Sequence, residues 1–179
     1  MTKKGFTLIE LVVVIAILSL LTSMLLLYSR DSEKQLTLLR EKAKLVSIIL
    51  RAKSLAVQTL KKSEPVCGYG VHFPLPFETA IYRIFKDPKG AGGDCSSTSS
   101  NQVWNGVWED VEVVDLTSTN VTLATSPSMT DVFFTPPDPK TLLSPGNLNS
   151  STITLSITIG GAPSTASITI NNGGQVSTQ

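Results

Sequence analysis

Gly5-Phe6-Thr7-Leu8-Ile9-Glu10-Leu11 opens the stretch that decides the architecture of this 179-residue chain. After Glu10 no charged residue occurs until Arg30, and the 19 residues Leu11 to Ser29 are nearly all Leu, Val, Ile or Ala. About 20 apolar residues cross a bilayer's hydrocarbon core as a helix. The interruptions, Ser19, Thr22 and Ser23, are small hydroxyls that can bond back to helix carbonyls. Lys3 and Lys4 precede the run, and lysines beside an apolar span stay on the cytoplasmic side. The rest of the chain is then expected outside the cytoplasm. A secretory signal peptide would have a shorter apolar core followed by a small-x-small cleavage site. Here Leu25-Leu26-Leu27-Tyr28-Ser29-Arg30 leads straight into a helical pattern. A simple membrane anchor would explain the run but not Glu10, because carboxylates within apolar segments are costly and usually functional.

The Gly5–Leu11 motif, with its basic leader and long apolar helix, resembles the class III signal of type IV pilins and type II secretion pseudopilins. The resemblance implies a leader at residues 1–5, cleaved by a prepilin peptidase between Gly5 and Phe6, with N-methylation of the new terminus on Phe6. It implies a transmembrane and assembly helix at 6–29, with Glu10 pairing with the N-terminal amine of a neighbouring subunit. Such a pair in an apolar bundle would set register more than it adds stability. A carboxylate favoured by the helix N-terminus is the simpler account of Glu10. The partners implied are other pilin or pseudopilin subunits, the prepilin peptidase, an inner-membrane assembly platform and membrane lipid. The implied location is the cytoplasmic membrane, single-pass with the head outside the cytoplasm, and then a filament.

The helical pattern continues through residues 30–63. Glu33 to Lys62 has no Gly or Pro, and Leu36, Leu39, Ala43, Val46, Leu50, Val57 and Leu60 recur at helical spacing, broken by Lys53. Leu45, Ile48, Ile49, Ala52, Leu55 and Ala56 widen this apolar face, which is expected to cover a sheet. Arg40, Glu41, Lys42, Lys44, Arg51, Lys61 and Lys62 fall on the other side. Nine basic against three acidic residues between Arg30 and Lys62 suit either anionic lipid or a plain solvated face. Glu64-Pro65 is expected to end the helix.

Residues 64–179 change character to Thr, Ser, Gly, Asn and Pro between short β-type runs. The expected strands are Val66–Phe73, Ala80–Phe85, Val111–Leu116, Val121–Ala124, Val132–Thr135, Thr152–Ile159 and Ser167–Ile170, with an edge strand at Gln175–Ser177. Strict alternation is clearest in Thr152–Ile159. Gly160–Ser164 and Asn171–Gly174 read as turns, and Gly90–Asn101 and Thr135–Ser151 as loops. The fold class is therefore α+β: a long N-terminal helix, half transmembrane and half amphipathic, packed on an antiparallel β-sheet head as in pilins. Arg51-Ala52-Lys53-Ser54, the Pro65-Val66 junction and the closing Ile168–Val176 segment resemble the GspH/FimT-like branch of minor pilins, although Lys53 stands where that branch tends to have Arg.

Cys67 and Cys95 both fall on the exported side, where two thiols favour a disulfide. One His and two Cys are too few for a zinc cluster, and no metal or other cofactor is expected. His72 shows no partner in sequence and reads as a polar strand position. Asp87, Asp94, Asp131 and Asp138 sit in or near expected loops, without the alternating carboxylates of a calcium site. Trp104 and Trp108 suit core or edge packing better than an exposed ligand patch. No nucleophile–base pair or phosphate loop is apparent, so no enzyme is expected. The net charge of +1 argues against a nucleic-acid binder. A minor pilin specialised for ligand or DNA capture is the alternative. From Asn101 onward the only base is Lys140, so DNA binding would need Arg83, Lys86 and Lys89 to form the patch.

Overall fold

The computed structural model describes residues 7–59, 66–73, 81–88, 95, 102–104, 106, 110–126, 128–136, 140–145 and 148–179, with the side chains of 26–29 and 126 left aside. One helix, α1 (Leu8–Gln58), is followed by strands β1 (Val66–His72), β2 (Ile81–Pro88), β3 (Asp110–Asp115), β4 (Thr122–Ser126), β5 (Asp131–Thr135), β6 (Lys140–Ser144), β7 (Ser150–Ile159), β8 (Ala162–Asn171) and β9 (Val176–Thr178). All pairings are antiparallel. The strands form two sheets rather than the single one expected: β3-β2-β1-β5-β6 and β4-β7-β8-β9. The second half of α1 packs on β1 and β5 of the first sheet and on β7 and β8 of the second, so one core lies beneath the helix.

Local chemistry explains most of these elements. Thr7 caps α1, and its hydroxyl accepts from the Glu10 amide while the Glu10 carboxylate accepts from the Thr7 amide. Helix formers without Gly or Pro carry it to Gln58, short of the end expected at Glu64-Pro65. The hydroxyl of Thr59 donates to the Ala56 carbonyl there, ahead of the proline. In β7, Ile153, Leu155 and Ile157 face inward, and the first two pair with the inward Ile168 and Ala166 of β8. Gly160 and Gly161 both have positive φ (57° and 86°), which a two-residue hairpin turn requires. The turn therefore stops at Gly161, and β8 begins at Ala162 rather than after Ser164.

Two further corrections concern the head. Lys140–Ser144, read as part of a loop, is the edge strand β6, with Thr141 and Leu143 buried and paired to β5. Flanking prolines masked its short alternation. The other is the orientation of α1. Its sheet-facing side is Leu38, Leu45, Ile48, Ile49, Ala52 and Ala56. Leu45, Ile48, Ile49, Ala52 and Ala56 are on the sheet as expected, and Val46 and Leu55 pack against the core, but Leu36, Leu39, Ala43, Leu50 and Val57 of the expected stripe are exposed; Leu60 lies outside the described residues. At about 100° per residue, this stripe lies roughly opposite the core-facing one. Lys53 does not break the packing, since its ammonium donates to the Gly174 carbonyl at 3.1 Å.

Tyr82 on β2 is fully buried below α1, and its hydroxyl has no hydrogen-bond partner among the described residues. Burial pushes its phenol well above the ordinary 10.0, assisted by the charges of Glu41 and Glu112. The fold therefore favours the neutral phenol. This contribution is fully present below pH 10.0 and is lost as the pH rises past it, because the unfolded chain ionises first. Alkaline titration should lower the unfolding temperature of the wild type more steeply than that of Tyr82→Phe. Below that pH the variant should be at least as stable, since no bond is lost. Thermal melts across the alkaline range check this; equal slopes would contradict it.

Candidate functional site

The dominant surface feature is the free part of α1. Residues 7–25 are exposed along their whole length, and Leu8, Ile9, Leu20, Met24 and Leu25 are each about two-thirds or more exposed. The helix is long and apolar enough to cross a membrane. Ser19, Thr22 and Ser23 donate to the carbonyls of Ala16, Leu18 and Leu20, so their hydroxyls are satisfied within the helix. An apolar surface of this size on a soluble monomer marks a membrane or protein contact.

At the start of that rod, Glu10 closes the capping box. Its Oε2 accepts from the Thr7 amide (3.0 Å) and the Thr7 hydroxyl (2.9 Å). In the isolated chain Glu10 is thus a helix cap, the simpler of the two roles open to it. The bonds fall on one carboxylate oxygen. Thr7 also follows the expected cut, so the cap would survive processing. Gly5 and Phe6, the expected cleavage and methylation positions, lie outside the described residues.

A second constellation sits on the face of the β3-β2-β1-β5-β6 sheet turned away from α1. Cys67 on β1 and Cys95 are joined by a disulfide, 5.4 Å between their Cα atoms. Further along the same segment, the Gln102 amide donates to Asp87 (3.1 Å) and the Trp104 amide to Asp131 (3.3 Å). The Trp104 indole stacks on His72 (4.4 Å between centroids), lies 4.7 Å from the Arg83 guanidinium, and donates to Asp110 (2.8 Å). Arg83 donates in turn to the other oxygen of Asp110. Register explains the convergence, because His72 pairs with both Arg83 and Asp131 across adjacent strands. Cys95, Gln102 and Trp104 are thus each fixed to this sheet face, as points of a strap. On the same face Phe85 and Phe133 stack at 5.9 Å and are fully buried. Gly70 lies between them, and a Cβ there would sit 2.5 Å from Phe85.

These contacts revise the reading of several residues. His72 has a partner after all: its Nδ1 lies 2.8 Å from Oδ1 of Asp131. Asp131 is a fully buried residue of β5 and Asp87 a buried residue of β2, not loop positions. Only cross-strand register could have revealed the His72–Asp131 pair, since 59 residues separate them. Trp104 packs, as its residue type suggested; Trp108, Asp94, Asp138 and Lys89 lie outside the described residues. Arg83 is committed to Asp110 and Trp104, which weakens any phosphate-binding patch built on it. A His–Asp pair can serve as a base, but here the Trp104 ring covers the imidazole face and the pair anchors the strap. Among the described residues no group of three or more His, Cys, Asp or Glu side chains could hold a metal ion.

Residues 1–26 match the family model for the prokaryotic N-terminal methylation motif. This is the class III signal of the type IV pilin and pseudopilin family, and the helix-on-sheet fold is of the pilin kind. Motif and apolar helix together support a membrane-anchored, pilin-like structural protein. No curated protein and no solved structure matches the chain.

Proposed function

We propose that the protein is a minor subunit of a type IV pilus or a type II secretion-like pseudopilus, working by assembly rather than catalysis. Prepilin peptidase removes residues 1–5 and methylates Phe6. The subunit waits in the cytoplasmic membrane with its head outside, and the platform then draws its apolar helix into a bundle of related helices. The observation that carries this reading is the exposed apolar rod, continued past the membrane by the stripe Leu36, Leu39, Ala43, Leu50 and Val57 on the side of α1 away from the sheets. A helix with apolar surface on both sides has one side for its own head and one for neighbours.

Mass spectrometry of the mature chain should show a methylated Phe6 terminus. An intact Met1 in cells with active peptidase would refute processing. Glu10→Ala should be cleaved normally yet enter filaments poorly, by roughly tenfold or more for a lost charge pair. It should keep a folded head, because the cap lies far from the core. Unchanged incorporation would leave Glu10 with capping alone.

A further inference from the structure

The end of the head nearest the apolar rod holds a cleft of about 300 Å³, its walls largely the apolar parts of side chains with polar groups at the mouth, lined by Lys34 and Thr37 of α1, Thr119 and Asn120 at the end of a 3-10 turn, and Ile157 and Thr158 of β7. Its position follows from geometry. At the far end of the head Lys53 holds Gly174, and at the near end Lys34 donates to the Thr158 carbonyl at 3.0 Å. The ten residues of β7 span about 33 Å, and the helix from Lys53 back to Asp31 also spans about 33 Å. The β7–β8 hairpin thus reaches down beside α1, placing Gly160 next to the Asp31 carboxylate. The apolar run Leu11–Ser29 covers about 29 Å, the thickness of a hydrocarbon core. With that run in a bilayer, Asp31 and Lys34 stand within about 8 Å of its edge, in the headgroup layer.

The cleft's chemistry suits that layer. The Lys34 ammonium has three protons, of which Thr158 takes one. The Thr37 and Thr119 hydroxyls are engaged by the Glu33 and Leu116 carbonyls, so the remaining donors at the mouth are Lys34 and the exposed Asn120 amide and Thr158 hydroxyl. Asp31, three residues before Lys34 on the same side of α1, lies against Gly160 at the hairpin tip, so a carboxylate stands beside the ammonium. A purely anionic ligand gains little here, whereas a ligand carrying phosphate and ammonium a few ångströms apart matches Lys34 and Asp31 together.

We propose that this cleft binds the headgroup of a zwitterionic phospholipid, its phosphate on Lys34 and its amine toward Asp31, so that the head is docked upright on the membrane before assembly. The proposal rests on the membrane-anchored reading above. It adds a lipid site on the head itself, with the exposed Ala162 and Pro163 of the hairpin tip touching the surface.

The test uses the full, oxidised chain in phosphate-free glycolipid vesicles containing a small fraction of phospholipid with a nitroxide on its headgroup. A fluorophore on Ala162→Cys should be quenched, and added phosphatidylethanolamine should relieve the quenching. Lys34→Gln and Asn120→Ala should each weaken it, the former roughly fivefold for one lost charge at a headgroup surface. Absent quenching, or quenching indifferent to both substitutions, would overturn the proposal. So would quenching that follows protein density rather than probe fraction, which would mark a contact between copies. A fluorophore on Leu18→Cys with an acyl-chain nitroxide reports the anchor separately. Quenching there with none at Ala162 defeats the cleft alone, and none at either site defeats the membrane reading as well.

Discussion

Replacing Cys67 and Cys95 by serine should cost about 3–4 kcal/mol of folding stability by the chain-entropy relation for a bond spanning 28 residues. The effect is large because the bond closes a long loop of the unfolded chain. Among the described residues between β2 and β3, Cys95 is tied by the disulfide to a sheet face that α1 does not cover. The other attachments among the described residues are the Gln102 and Trp104 hydrogen bonds and the contacts of the indole with His72, Arg83 and Asp110. Net hydrogen bonds contribute about 1 kcal/mol each, so the disulfide outweighs any one of them. Urea unfolding of oxidised wild type, reduced wild type and the double serine variant measures this. The last two should coincide, both well below the first. A difference under about 1 kcal/mol would mean that the bond scarcely restricts the unfolded chain. The reduced forms should also expose Phe85 and Phe133 first, readable as binding of an apolar dye before global unfolding.

The strap also shows where sequence reasoning stops. Local signals carried far: the uncharged run after Glu10, the absence of Gly and Pro through the helix, and the Thr/Ile alternation of β7 each mapped onto one element. Those signals act over one or two turns, or along one strand. The pairing of His72 with Asp131, and the seating of Trp104 across His72 and Arg83, depend on which strands become neighbours. Register across three strands decides that. The division into two sheets is non-local in the same way, since β6 closes one sheet immediately before β7 enters the other. The orientation of α1 was legible only in part, for a different reason. Both sides of the helix are apolar, so periodicity identified a stripe without saying which one the head covers. Ala52 and Ala56, fully buried, held a clue in their size: small residues let a helix approach a sheet closely.

That ambiguity becomes the sharpest test of assembly. Leu36 and Leu50 are 53% and 49% exposed and contribute little to the head's own core. Leu36→Glu and Leu50→Glu should therefore change head stability by no more than about 0.5 kcal/mol, as exposed substitutions generally do. If α1 bundles with neighbouring helices, each introduced carboxylate is buried without a partner, a cost of about 3–5 kcal/mol. That converts to a loss of incorporation of roughly a hundredfold or more. Arg40→Ala and Lys44→Ala, beside the stripe on the charged side, serve as controls and should stay within a fewfold of wild type. Immunoblots of sheared filaments give the incorporation, and thermal melts give the stability. Normal incorporation of both glutamate variants would mean that the stripe meets no neighbour. A large fall in head stability would mean instead that the head itself depends on it. The predicted pattern, a stable head that cannot enter the filament, would follow only if the two apolar sides of α1 have separate partners: one its own sheets, the other a second helix.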